Sequence, residues 1–328
     1  MMGAVVAYPA SPLSAWGAAA LKKARAVMDV ILHVGAHRTG AASFQHYVTG
    51  NTEPLRQRGV TFWGPARTRR GLFDGLLPNP GVTQVRQKRA MGRVRLNCAA
   101  QVRKGTQDLI VSDADMLGSV SDNLCHTRLY RGLGERMARV GAAFDGQVGQ
   151  VFLTIRALDR YWASALAWAL PRGGPLPNDA MLDRIVTQPR SWRDVVTDLS
   201  CAMPGAQILV MPFEQIAGRP HHQLEYMTHG RFKAPEQGAG TWQGRSAWLP
   251  KLRNVVRDRG EDDKNLGQGN GHWTPFDTAQ EAALKETYAD DLFWLRSGAD
   301  GLALLIEERA PDMAGELPGG TDEKRIRL

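Results

Sequence analysis

VILHVGAHRTGAASFQ, residues 30–45, is the stretch from which the fold of this chain is read. Its first five residues, Val30 to Val34, form an apolar run that Gly35 closes. From Gly40 to about Arg58, Phe44, Tyr47, Val48 and Leu55 recur on one helical face. A short apolar run bounded by glycine reads as a buried strand, and the 3.6-residue period as an amphipathic helix. Between them lies GAHRTG, Gly35 to Gly40. In a strand–loop–helix of this kind, backbone amides and the positive end of the helix dipole face an anion. The same layout also serves as a plain glycine-rich turn, and the loop alone leaves both readings open. The nucleoside-triphosphatase loop, GxxxxGK followed by Ser or Thr, needs a lysine for the phosphates and a hydroxyl for magnesium. Here Ala41 and Ala42 follow Gly40, which disfavours a magnesium-dependent ATPase or GTPase. The GxGxxG fingerprint is missing too, which disfavours hydride transfer with a dinucleotide.

Working outward, VTFW (60–63), DLIVS (108–112), QVFLTI (150–155) and AQILVMP (206–212) read as further strands. Helical patterns lie between and after them, at 82–103, 121–140, 158–170, 179–202 and 278–296. Strands alternating with helices predict an α/β fold, a doubly wound parallel sheet of about five strands flanked by helices. Residues 28–310 form one domain, with 230–275, rich in glycine and polar residues, as a long loop or lid. Residues 1–27 and 311–328 read as an N-terminal extension and a C-terminal tail, and Met28 lies close enough to the first strand to be a start. Three cysteines without paired spacing exclude a disulfide framework and a CxxC-type zinc site, and they fit a reducing compartment. No stretch is long and apolar enough to span a bilayer, and residues 3–20 lack the charged start of a secretory signal. The expectation is a cytoplasmic protein that does not engage a membrane.

The chain carries a net charge of +8, and Arg56 to Lys104 holds twelve Lys or Arg against one acid, Asp74. The excess lies in that one segment, which implies an anionic partner or a solvated basic face. Zinc-finger spacing and interleaved aromatics are missing, so nucleic acid is disfavoured. A small polyanion or a phosphorylated cofactor suits the charge equally well.

The fourth strand runs into IRALDRYWAS, which places Arg156 at the strand end and Ser164 eight residues on, inside the next helix. Ligands in open α/β sheets bind outside the carboxyl ends of the strands, so Arg156 is expected near the phosphate loop. An arginine fork and a hydroxyl can clamp a second phosphate, although a surface ion pair with Asp159 would use Arg156 otherwise. VILHVGAHRTGAASFQ resembles the 5′-phosphosulfate loop of the sulfotransferases that use 3′-phosphoadenosine 5′-phosphosulfate (PAPS), and IRALDRYWAS resembles their 3′-phosphate motif. More weakly, PFEQI (212–216) and WTPFDTAQEAALKETYADDLFWL (273–295) resemble later family segments, the second with Phe276, Tyr288, Asp290 or Asp291 and Leu295 in the family's order. The resemblance covers residues 28 to 298 in patches. It implies PAPS as donor, no metal, and a donor site made of His37, Arg38, Thr39, Gly40, Ala41, Ala42, Ser43, Arg156 and Ser164. Arg38 stands where the family has lysine, and Ala41 and Ala42 where it has two threonines, so two hydroxyl contacts to phosphate are missing.

Sulfuryl transfer also needs a base for the acceptor's proton. The family places a His or Glu just after the third strand, where this chain has Asp113, with Asp115 two residues on. On an extended strand the two share a face, and a close pair pushes one pKa up, as a base requires; either could instead cap the next turn. Arg38, Asp113 and Asp115 are thus the expected catalytic residues. His33 reads as a packed core residue, while the resemblance implies that GQGNGHW (267–273), with His272, stands where the family's Gly-rich segment wraps the 3′-phosphate, a role for the backbone amides of Gly267, Gly269 and Gly271. The acceptor would be a small molecule or carbohydrate, anionic or sugar-like, met by some of Arg67, Arg69, Arg70, Arg86, Lys88 and Arg89. The rivals are a catalytically silent relative that binds a phosphorylated nucleotide or polyanion, and a nucleotide kinase.

Overall fold

Strand β1 (Asp29–His33) lies at the middle of the sheet and shows why the apolar run is continuous. Val30 and Leu32 enter one hydrophobic core and Ile31 enters another, because successive side chains point to opposite faces. Leu109/Val111 against Ile110, and Val151/Leu153 against Phe152, divide in the same way. A sheet covered on both faces needs such runs. With β2 (Val60–Trp63), β3 (Asp108–Ser112), β4 (Val148–Ile155), β5 (Gln207–Pro212) and β6 (Leu304–Leu305), it forms a six-stranded sheet in the order β2-β3-β1-β4-β5-β6. All five pairings are parallel. The sixth strand exceeds the expected five; at two residues it carries no periodicity and is held only by the register of Leu209 and Val210 against Leu304 and Leu305. The structure, a computed structural model, describes residues 28–307, so the expected extension at 1–27 and tail at 311–328 lie outside the described residues.

The longer helices are α1 (Ala41–Gly50), α2 (Gln84–Arg103), α3 (Leu133–Ala143), α4 (Leu158–Ala169), α5 (Asp179–Thr187), α6 (Trp192–Ala202), α7 (Pro220–Met227), α8 (Leu249–Asp258) and α9 (Thr278–Arg296). Phe44, Tyr47 and Val48 of α1, with Leu224 and Met227 of α7, cover one face of the sheet. Helices α2, α3, α4, α6 and α9 cover the other. The segment 230–275 is not all loop, since it contains α8. The chain order reverses beside β1, which has β3 on one side and β4 on the other. The carboxyl ends of those strands therefore border the crevice where such sheets place ligands.

His33 is buried at the end of β1, with Nδ1 2.7 Å from Ser112 Oγ. Burial drives its pKa down to about 3, so the ring stays neutral in the fold while the unfolded chain takes up a proton below about 6.5. A folded pKa below the unfolded one means that stability is present above about pH 6.5 and falls as the pH drops towards 3. We expect the melting temperature to fall from pH 6.5 to 4.5, and His33→Gln to fall less steeply over the same interval. Parallel melting curves for the two proteins would show that another group is responsible.

Candidate functional site

The loop after β1 is held to β4 by backbone bonds from Val34 N to Phe152 O and Ala36 N to Thr154 O, each 3.0 Å. Gly40 closes it at φ 83°, the left-handed region, and a Cβ there would lie 3.3 Å from the Phe213 ring. Glycine meets both demands at once. Arg38 also has a positive φ, 67°, uncommon outside glycine and a mark of functional sites. Helix α1 begins at Ala41, so its first amides have no acceptor within the helix and face outward with the dipole.

Over this loop lies a cavity of about 910 Å³. His37, Arg38, Gly40, Ala41, Ala42, Asp115, Arg156 and Ser164 line it. The loop and the Arg156–Ser164 motif, more than 110 residues apart, meet directly: Arg156 Nη1 donates to Arg38 O at 2.8 Å, and Arg38 Nε donates to Ser164 Oγ at 3.0 Å. Arg38 Nη2 donates to Ser246 Oγ at 2.9 Å, and the Ser164 and Ser246 hydroxyls are 2.7 Å apart. Arg156 is fixed from behind, its carbonyl accepting from Trp192 Nε1 at 2.7 Å and its guanidinium stacked on Phe213. Neither Arg38 nor Arg156 has a carboxylate within ion-pair distance among the described residues. Burial, then the nearby Arg156 and Arg172, push Arg38 down to about 10, and burial also lowers Arg156. The buried Arg156 Nε has no hydrogen-bond partner. Two half-buried cations side by side without a direct ion pair favour an anion that joins them.

Thr39 and Ser43 do not face this cavity. Thr39 Oγ1 donates to Ala36 O at 2.5 Å within the turn, and Ser43 Oγ accepts from Gln243 N at 2.8 Å. Ser43 thus fastens the segment 241–248 across the loop rather than offering a hydroxyl to a ligand. Ser246 and Trp242, which this segment brings to the cavity, were not legible in sequence, where a single serine in a polar stretch carries no signal. Gly267, Gly269 and Gly271 stand exposed and off the cavity wall; two of their carbonyls accept from Arg253, and only His272 of the expected pair of features reaches the cavity.

The two candidate bases part company. Asp113 caps the short turn Ala114–Met116, and its carboxylate is saturated by Thr68 Oγ1 at 2.5 Å, Arg69 Nη2 at 2.6 Å and the Asp115 amide at 3.1 Å. It is buried and faces only a smaller cavity of about 320 Å³. We correct the expectation for it: a carboxylate with all its lone pairs committed is a structural group, not a base. Asp115 lines both cavities, with Oδ1 3.1 Å from His37 Nε2 and Oδ2 3.1 Å from Arg69 Nε. Burial pushes Asp115 up, but the His37 hydrogen bond and the charges of Arg69, His37 and Arg136 outweigh it and hold the carboxyl below its ordinary value. Asp115 is thus lowered rather than raised, by the His37 hydrogen bond first and the Arg69 charge second. His37 is set by Tyr130, whose hydroxyl accepts from the His37 amide at 2.8 Å and lies 3.0 Å from Nδ1. With Tyr130 donating to Nδ1, His37 carries its proton on Nε2 and donates to Asp115.

The basic segment does not gather round the cavity as an anion trap. Arg69 is neutralised by Asp113 and Asp115, Arg86 by Asp74, and Arg67 stacks on Trp63. Among the described residues no group of three or more His, Cys, Asp or Glu side chains is placed to hold a metal ion, and no helix is long and apolar enough to cross a membrane. No protein-family model matches the chain, and neither a curated protein nor a solved structure matches it.

Proposed function

We propose that the chain is a sulfotransferase that binds PAPS at the loop Gly35–Gly40 and delivers its sulfuryl group to an acceptor hydroxyl or amine. The observation that carries this reading is the pair of half-buried guanidiniums without an ion-pair partner among the described residues, Arg38 bonded to Ser164 and Arg156 bonded to the Arg38 carbonyl, beside the amides of α1. PAPS supplies a sulfuryl group on an activated phosphate. The cavity volume lies in the range that encloses a nucleotide-sized ligand, and the orphaned Arg156 Nε supplies a donor aimed at no protein group. Arg38 and the free amides of Ala41 and Ala42 hold negative charge at the loop, as positioning and charge stabilisation require. Arg156 and Ser164 hold a second anionic group. Asp115 takes the acceptor's proton, oriented by His37 on one oxygen and Arg69 on the other. A paired, low-pKa carboxylate is a weak base, so its contribution lies in position more than in basicity.

Calorimetry with adenosine 3′,5′-bisphosphate tests the reading. Binding at least tenfold tighter than that of adenosine 5′-monophosphate is expected, and equal affinities would defeat it. A second reading, a silent nucleotide-binding relative, draws on the inward-turned hydroxyls of Thr39 and Ser43 beside the alanine pair. Ala41→Thr with Ala42→Thr separates the two. Two hydroxyls restored at the loop should raise kcat/KM by roughly tenfold to a hundredfold, for about 1.4–2.8 kcal/mol. A protein that tightens on nucleotide but still transfers no sulfate would be the silent relative.

A further inference from the structure

Helix α2 runs for twenty residues, Gln84–Arg103, without one acidic side chain. Ala90, Val94 and Cys98 turn inward to the core. At 100° per residue, Val85, Lys88, Arg89, Gly92, Leu96, Ala99 and Arg103 fall within about a third of the opposite circumference. Val85 is 59% and Leu96 72% exposed, two of the three most exposed large apolar side chains among the described residues. Lys88, Arg89 and Arg103 have no ion-pair partner among the described residues, whereas Arg86 and Arg95 on the flanks are paired with Asp74 and Asp145. The ridge therefore interleaves free cations with unsheltered apolar groups and has small residues, Gly92 and Ala99, between them.

We propose that this ridge is a docking surface for an anionic phospholipid bilayer. Cations at both ends would meet headgroup phosphates while Val85 and Leu96 enter the acyl boundary. Nucleic acid fits less well, because the ridge offers no aromatic side chain for stacking and its two apolar groups gain nothing from phosphates. A protein partner fits less well too: hot spots seat in pockets, and neither cavity includes Val85, Lys88, Arg89, Leu96 or Arg103. Peripheral docking needs no spanning helix, and this proposal is independent of the reaction.

The test is co-sedimentation of the full chain with vesicles of phosphatidylcholine alone and of phosphatidylcholine with 30% phosphatidylglycerol, about a third of the lipid, at low and physiological salt. Binding to the anionic vesicles only is expected. Lys88→Glu with Arg89→Glu should weaken it at least tenfold, and Val85→Ser with Leu96→Ser severalfold, with the low-salt component kept in the second variant. All four positions are exposed, and unchanged melting curves confirm folding; should the first pair fail to fold, Arg103→Glu with Lys104→Glu carries the same expectation. Equal binding by wild type and all variants overturns the proposal, as does binding to a short DNA duplex that exceeds vesicle binding and is indifferent to Leu96→Ser.

Discussion

Arg38→Ala is expected to lower affinity for adenosine 3′,5′-bisphosphate by a hundredfold to a thousandfold and to remove sulfuryl transfer, with no loss of thermal stability in the unliganded protein. The guanidinium is the cation of the loop, and it reaches Ser164 and Ser246 at the same time. Hydrogen bonds to a charged group contribute about 1.5–3 kcal/mol each, so losing two guanidinium bonds to the ligand's anion, at the lower end of that range, accounts for about 3 kcal/mol and a drop of this order. The stability half of the expectation comes from the missing counter-charge. Most buried cations are paired, and deleting one leaves an orphaned carboxylate. Deleting Arg38 leaves only Ser164 and Ser246, which remain hydrogen-bonded to each other. Arg38→Lys keeps the charge but cannot span both serines, and an intermediate loss of about tenfold is expected. Calorimetry and melting curves on the three proteins decide the matter. An alanine variant that binds as tightly as the wild type would remove the loop from the site, and one that melts well below it would make Arg38 a structural residue.

Asp113→Ala and Asp115→Asn should fail in opposite ways. The first removes a buried carboxylate that satisfies Thr68, Arg69 and the Asp115 amide together. Breaking a buried ion pair costs about 3–5 kcal/mol; with Arg69 itself half exposed, the lower end applies, a fall of roughly 5 °C in melting temperature for a domain of this size. The second lies on the cavity wall, is nearly isosteric, and keeps a hydrogen-bond acceptor towards His37. Its fold and nucleotide affinity should be unchanged, while kcat falls by about a hundredfold or more, the usual contribution of a positioned proton acceptor. Calorimetric melting and single-turnover rates on both variants give the pattern. On the proposed reading, an Asp115→Asn variant with a normal kcat would leave the acceptor's proton to another group.

What the sequence determined by itself is what local periodicity can carry. Short continuous apolar runs in VILHV, DLIVS and QVFLTI specified strands buried on both faces, and Gly35 to Gly40 specified the turn that aims the first amides of α1 outward. The eight-residue step from Arg156 to Ser164 placed both near the carboxyl end of β4, because strand end and helix start fix that geometry over a few residues. The roles of Asp113 and Asp115 were decided elsewhere. Arg69 arrives from 44 residues upstream to claim Asp113, and the turn at Asp113 ends the extended backbone on which a shared face had been expected. Ser246, more than 200 residues from Arg38, completes the guanidinium's partners, while Ser43 is taken by Gln243 and withdrawn from the ligand. Strand and helix periods act over neighbours in the chain, where the backbone sets direction. Ion pairs and hydroxyl contacts act over neighbours in space, and only the packed sheet and the segment folded across it bring those together.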